Sequence, residues 1–425
     1  MKKYKFTFYC TILILGVLKS QVNTFSPYSY FGVGELSNSF NPAAVSMGGL
    51  NSVFNKNNSV NFMNPSTYSL LNQTAFEVGN KTTFSKISNQ NVDQNNFSTS
   101  LSHLSLGFPI SKKIGFALAL LPYSSVGYNV SSSNQNSELG TVLHNYRGEG
   151  GLNKFVIGSG WSITDNIFVG LNWNWFFGTI SKNTSVSTGN SSTYFGDEIV
   201  FSTEDFNYDL GLMVKQKISD YQLSLGAIIS PEKKMSSKIS RMQYTYSYSG
   251  NFVNVIDTIL SENNNLDAEI SFPLNYSVGL SLENLSSWLV GVEYTYTNWS
   301  IVDYLIWEPS LYSLVDLNKL SMGIQFIPKK DDIYNYFNTI EYRLGITYSS
   351  GYLDLAHLSN STIESTNLDQ IALNFGMGLP IKKASSMLHV GLKYNVSINN
   401  DNLETIEHSF LSLNIAMTLN EKWFK

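Results

Sequence analysis

From Thr74 to its end the chain alternates apolar and polar residues in run after run. The last run is the clearest. Leu411, Leu413, Ile415, Met417 and Leu419 hold the odd positions, and Ser412, Asn414, Ala416, Thr418 and Asn420 the even ones. A period of two puts one set on each face of a β-strand. The runs at 288–297, 340–349 and 388–396 repeat the arrangement, with Trp288, Tyr294, Leu344, Ile346 and Leu392 on the large apolar face. The opposite face carries Gly, Ser and Asn together with Glu293, Glu341, Arg343, His389 and Lys393. Charged groups in a dry core are costly, whereas facing a wet lumen they cost little. Lipid outside and a polar interior is the arrangement of a membrane β-barrel.

The pattern predicts an all-β fold: a transmembrane antiparallel β-barrel of about fourteen strands. They lie at roughly 74–87, 96–108, 114–130, 145–163, 167–183, 198–217, 221–230, 267–284, 288–300, 314–327, 338–353, 368–379, 387–399 and 405–421. Short connections near 111–113, 164–166, 218–220, 285–287 and 382–386 alternate with long ones near 131–144, 184–197, 231–266, 301–313 and 354–367, apart from a middling turn at 328–337 and two modest loops near 88–95 and 400–404. Short periplasmic turns and long outer loops are usual for such barrels, so the phasing places both termini in the periplasm. The loop expected at 231–266 carries Tyr244, Tyr246, Tyr248, Val253, Val255 and Ile256, which suggests a hairpin or an exposed apolar capture surface.

Composition narrows the class. Aromatic residues make up 14% and charged residues only 14% of the 425, which suits a lipid-facing wall with aromatic girdles. Residues 1–20 read as a signal peptide: Lys2, Lys3 and Lys5 precede an apolar run over 8–18 that is too short to span a bilayer as a helix. Its removal takes away the single cysteine, Cys10, and with it thiol and disulfide chemistry. It also leaves 23 basic against 32 acidic residues, a formal charge of −9. No basic patch remains to point to nucleic acid. Five scattered His, no tight metal-ligand spacing and no Gly-x-Ser-x-Gly motif argue against an enzyme, a metal site or a cofactor.

Residues 21–72 do not alternate. They are rich in Asn, Ser, Gly and Pro, and either trail as a disordered leader or pack as a compact plug; Met47, Phe62, Met63 and Tyr68 favour a plug in the lumen. The expected organisation is therefore a signal peptide over 1–20, a plug over 21–72 and a barrel over 73–425. In the third strand, Pro122 lacks a ladder donor, and proline belongs at edges or bulges. A closed barrel has no edge, so Pro122 marks either a curvature-relieving bulge or a break in the wall.

The run Ala44-Val45-Ser46-Met47-Gly48-Gly49, followed by Asn61-Phe62-Met63-Asn64-Pro65-Ser66 and then a strand, resembles the amino-terminal signature of FadL-type long-chain fatty acid transporters. Where that family has Asn-Pro-Ala, this chain has Asn64-Pro65-Ser66; Asn41-Pro42-Ala43 lies upstream, in the wrong order, and reads as chance. The resemblance implies a location in the outer membrane of a Gram-negative bacterium, fourteen strands, a plug, and a kinked third strand that opens sideways. It makes Phe62, Asn64, Pro65, Ser66, Tyr68, Pro122, Ser124 and Gly127 candidates for a ligand path or gate. Asn172, Glu293, Arg343, His389 and Lys393 are expected to face the lumen. Two functions follow from it: a passive channel for hydrophobic molecules such as long-chain fatty acids, or a non-transporting subunit or scaffold of an outer-membrane secretion or assembly complex. The expected partners are membrane lipid, a hydrophobic ligand and other outer-membrane proteins. The lumen discriminates, because transport needs an apolar pocket, a path and a movable plug.

Overall fold

The computed structural model of this chain describes residues 24 and 26–421, apart from 38–40, 57, 89–92, 190, 250–251, 285–286, 303–312, 355–368, 382–385 and 399–406. The signal peptide with Cys10, Lys382-Lys383 and the closing Trp423-Phe424 pair lie outside the described residues.

Fourteen antiparallel staves close into one barrel, the fold that the alternation predicts. They are β1 (Thr74–Ser88), β2 (Asp93–Pro109), β3 (Ile114–Pro122 and Ser124–Asn136), β4 (Gly140–Ser162), β5 (Ile167–Thr188), β6 (Tyr194–Ile218) and β7 (Tyr221–Ser230 and Lys233–Ser249). There follow β8 (Phe252–Phe272 and Asn275–Asn284), β9 (Trp288–Thr297), β10 (Leu317–Phe326), β11 (Glu341–Ser349), β12 (Asp369–Pro380), β13 (Met387–Ile398) and β14 (Glu407–Glu421). The seam is the pairing of β1 with β14, from Thr74↔Glu421 to Ser88↔Glu407.

The wall is uneven in height. β9, β10 and β11 hold 10, 10 and 9 residues, about what a tilted strand needs to cross a bilayer. β4, β5 and β6 hold 23, 22 and 25. The upper parts of β3 to β8 therefore stand above the rest of the barrel as an open six-stranded sheet. The segment expected as a loop at 231–266 belongs to this sheet: Lys233–Ser249 pairs with Phe252–Phe272 from end to end. Its ladder slips at three places. Each slip inserts unpaired residues, so the period of two is lost where a strand nonetheless persists.

Residues 26–71 fill the barrel. Two short helices are started the same way, by Asn followed by Pro at the first helical position. Asn41 accepts from Ala43 N and starts Pro42–Val45; Asn64 accepts from Ser66 N and starts the 3-10 helix Pro65–Leu70. Asn41-Pro42-Ala43 is thus a working helix cap. Three apolar clusters hold the plug. Ala43, Ala44, Met47, Leu50, Val53 and Phe54 pack with Leu289. Val60, Phe62, Tyr68 and Leu71 pack on Ala117, Ala119, Leu121 and Val156 of β3 and β4. Higher up, Val33 joins Tyr128, Leu152, Phe176, Phe201 and Trp299.

The plug fits because the wall offers glycine where the plug backbone arrives. A Cβ on Gly345 would stand 2.1 Å from Gly48 N, one on Gly323 2.3 Å from Met47 O, one on Gly226 2.0 Å from Ser52 O, and one on Gly170 2.2 Å from the Pro65 carbonyl carbon. A side chain at any of these positions would displace the plug.

Candidate functional site

The inward face of the wall is polar, and its polar groups end on the plug. Glu293 accepts from the backbone N–H of Asn51 (2.8 Å) and of Ser52 (2.6 Å), and from the Ser52 hydroxyl. Asn172 accepts from the Tyr68 hydroxyl at 2.9 Å and donates to the Phe62 carbonyl at 3.0 Å. The Thr347 hydroxyl donates to Gly48 O at 2.8 Å. Glu77 of β1 lies 2.7 Å from His103 Nε2 of β2 and accepts from Asn41 Nδ2 at 2.8 Å. On β11, Arg343 bonds Glu341, donates to Gln325 at 2.9 Å and lies 3.3 Å from His389 Nδ1, while Lys56 of the plug reaches Glu341 at 3.1 Å. Ion pairs this deep hold only while every partner stays in place.

The residues expected in the lumen fall as follows. Asn172, Glu293, Arg343 and His389 are buried inside the barrel. Lys393 is half-buried, with its ammonium 5.8 Å from the Phe410 ring centroid. Phe62, Asn64, Pro65, Ser66 and Tyr68 are all buried in the plug. Asn64 holds its own turn, accepting from the Ser66 hydroxyl at 2.6 Å and donating to Ser52 O at 2.6 Å.

At Pro122 the wall is broken. β2 and β3 pair only from Pro109↔Gly115 to Leu104↔Leu120. Above that, residues 93–103 of β2 pair with β1 alone, and Ser124–Asn136 pairs on its wall side with β4 alone. Between Pro122↔Asn153 and Val126↔Gly150, β3 spends one residue more than β4, which is a bulge. The kink runs on through Gly150, whose φ of 111° few side chains adopt and whose Cβ would meet Thr179 O at 2.1 Å. The bulge and the break, posed above as alternatives, therefore occur together.

Two of the gate candidates, Phe62 and Tyr68, do not pair with the open edge. Phe62 and Tyr68 sit lower, against Ala117, Ala119 and Leu121, with the Phe62 ring 5.1 Å from that of His103. The gap is occupied instead by a two-residue strand, Glu35–Leu36, paired as Glu35↔Ser125 and Leu36↔Ser124. Ser37 N donates to Tyr123 O at 2.8 Å, and Ser26 N to Gly127 O at 3.1 Å. Gly127 does not leave the sheet; it stays opposite Glu149. Ser124 is buried, and its hydroxyl lies 3.4 Å from Leu152 N. The sequence reading missed Glu35, Leu36, Lys56, Glu77 and Gly150. A Gly150-Gly151 pair inside an alternating run was the available signal for the kink.

The spaces described in the lumen are small, with mixed polar and apolar lining; a larger apolar hollow of about 1,180 Å³ lies along Leu280, Val290, Ile324, Leu344, Phe375 and Leu392, which are exposed on the outer face. One of about 40 Å³ lies behind the break, between Glu35, Lys81, Ser100, Ser102, Pro122 and Ser125. Two others, of about 70 and 150 Å³, adjoin Lys319, Gln370, Lys393 and Phe410.

Three solved structures show the same architecture. The P. putida toluene transporter TodX has a TM-score of 0.56 at 14% identity, covering 90% of this chain and 98% of that one. A CymD monoaromatic hydrocarbon channel has a TM-score of 0.56 at 12% identity, covering 90% and 98%. A Pseudomonas aeruginosa FadL homologue has a TM-score of 0.54 at 11% identity, covering 91% and 98%. At these identities the likeness shows the fold and not the task. A search of the curated proteins finds no match. The family model described as BamG matches residues 1–425. The chain therefore belongs to the BamG family and is a FadL-like outer-membrane barrel.

Proposed function

We propose that this barrel is a closed scaffold: a non-transporting subunit of an outer-membrane secretion or assembly complex. The observation that carries the reading is the filled lumen. Small-molecule pockets run from about 300 to 1,000 Å³ and are mostly apolar. The spaces described in the lumen are about 40, 70 and 150 Å³, and Lys, Glu and Ser line them together with apolar groups such as Leu36 and Phe410, while the one apolar hollow above that size lies along outer-face residues. A hydrophobic molecule crossing the lumen would have to displace a plug bonded to the wall through Glu293, Asn172, Thr347 and Glu341. If both termini lie in the periplasm, as the loop phasing predicts, the tall sheet of β3 to β8 presents its surface to the outside of the cell.

A second reading, passive uptake of hydrophobic compounds, draws on one observation: the unpaired wall above Leu104 and Leu120, at the proline that the sequence singled out. The titles of TodX and CymD name a toluene transporter and a monoaromatic hydrocarbon channel. In that reading Pro122→Val, which restores a ladder donor, lowers uptake.

Extraction of native outer membranes in mild detergent separates the two. The scaffold reading expects the protein to migrate in an assembly of defined stoichiometry, with its subunits identified by mass. A barrel that runs alone and carries a bound fatty acid or hydrocarbon overturns it.

A further inference from the structure

Among the described residues the tall sheet has two edges that lack a partner strand over most of their length, and they are built differently. On the far edge, Phe252–Phe272 pairs only with β7, along a ladder that slips between Ile239 and Arg241, between Gln243 and Tyr244, and between Thr245 and Tyr246. Asp257 and Asp267 lie along it. Bulges and charges are how natural sheets keep an edge from recruiting another strand.

From Val126 upward the near edge, Ser124–Asn136, has neither; its one bulge lies below, between Pro122 and Val126. Its 13 residues include no Lys, Arg, Asp, Glu or Pro. Its ladder to β4 runs without a slip from Val126↔Gly150 to Asn136↔Gly140. The facing bank, residues 93–103 of β2, is Gln, Asn, Ser and Thr with Phe97, Leu101 and His103. Its single acidic group, Asp93, sits at the tip and is paired with Lys86 at 2.9 Å. Two uncharged edges thus face each other across the break.

The foot of the near edge already serves as a template. Glu35–Leu36 pairs with Ser124 and Ser125 there. One rung higher, Gly127 turns its backbone away from β4, donating to the Ser29 hydroxyl and accepting from Ser26 N, both at 3.1 Å. Antiparallel strands alternate in the direction of their backbone groups. Asn129, Ser131, Ser133 and Gln135 therefore direct their N–H and C=O the same way, and among the described residues no backbone meets them.

We propose that this edge takes up an extended segment of a partner polypeptide as an added β-strand, continuing upward from Glu35–Leu36. The inference rests on the scaffold reading and gives it a docking strand. The chemistry points to an uncharged segment of Ser, Thr, Asn and β-branched residues. Main-chain bonds supply the affinity in strand addition, and neither bank offers a counter-ion for a charge. A hydrocarbon in the same cleft would leave the backbone groups of Asn129, Ser131, Ser133 and Gln135 without partners.

The test uses the full-length protein in detergent micelles and a synthetic peptide of alternating Thr and Val, roughly as long as the edge. Residue-resolved amide exchange is the readout. The expected result is slowing of about tenfold or more at Asn129, Ser131, Ser133 and Gln135. Val130 and Ser132, already bonded to β4, stay unchanged. Ser133→Pro removes a donor that points into the cleft and not into the β4 ladder, so it abolishes the effect while the barrel keeps its heat-modifiability. If that variant does not fold, Ser131→Lys with Ser133→Lys blunts the edge by charge and gives the same loss. No slowing at the odd residues overturns the proposal. So does slowing produced equally by palmitate without peptide, because the cleft then takes a small hydrophobic molecule.

The failures stay distinguishable in native membranes. An assembly that survives Ser133→Pro removes the docking strand and leaves the scaffold. A wild-type barrel that runs alone removes the scaffold itself.

Discussion

Arg343 and Glu341 stand one residue apart on β11, side by side on its inner face, with Arg343 only 1% exposed. Leaving one member of a buried pair unmatched costs about 3–5 kcal/mol. Arg343→Leu, which leaves Glu341 with Lys56 alone among the described residues, is therefore expected to lower the unfolding free energy measured in urea by up to about 3–5 kcal/mol, and Glu341→Leu added to it to recover part of the loss. Additive losses in the double-mutant cycle would mean that the two do not act as a pair. At the turn between β10 and β11, Asp332 accepts from the side chain of Asn338 at 2.7 Å and from the backbone of Tyr334 (2.9 Å) and Asn335 (3.0 Å). The Asn338 amide first, then the two N–H groups, hold its pKa down to about 2. A depressed carboxylate stabilises the turn above the unfolded pKa of about 3.9, and that contribution is lost as pH falls through about 2. An NMR titration of the Asp332 carboxyl checks this. Asn338→Ala is expected to move its midpoint up toward the ordinary value, and an unmoved midpoint would mean that the cap does not hold the charge.

Among the elements, every barrel stave was legible, because a lipid face and a lumen face force a strict period of two. Asn172, Glu293, Arg343 and Asn414 are buried, while Trp173, Tyr294 and Leu344 are exposed. The heights of the staves were not legible. Above the bilayer both faces meet water, so β7 and β8 carry bulges and adjacent apolar pairs such as Val255-Ile256 that break the alternation. The break was readable at Pro122 because proline lacks a donor. What occupies it was not, since nothing in Glu35-Leu36 announces a strand of two residues. Gly150 carries the kink into β4, so Gly150→Ala forces an Ala into φ of 111° against the Thr179 carbonyl and is expected to cost about 1–3 kcal/mol. Gly189→Ala, with its nearest neighbour at 3.7 Å, should stay within about 0.5 kcal/mol. Equal effects in thermal unfolding would show that the kink places no demand on Gly150.

For the whole molecule, the inward glycines matter more than any single gate residue. They let the wall close on the plug backbone, and Glu293, Asn172, Thr347 and Lys56–Glu341 then bond the two together around the circumference. In the proposed scaffold reading the interior serves as a core, and the surfaces left for work are the outer wall and the tall sheet. The most direct test is flux. The purified protein is reconstituted in liposomes, and entry of a fluorescent fatty acid and of toluene is measured against protein-free vesicles. A closed scaffold gives the same rates with and without protein, and Pro122→Val changes nothing. Saturable, protein-dependent entry that Pro122→Val reduces would contradict it.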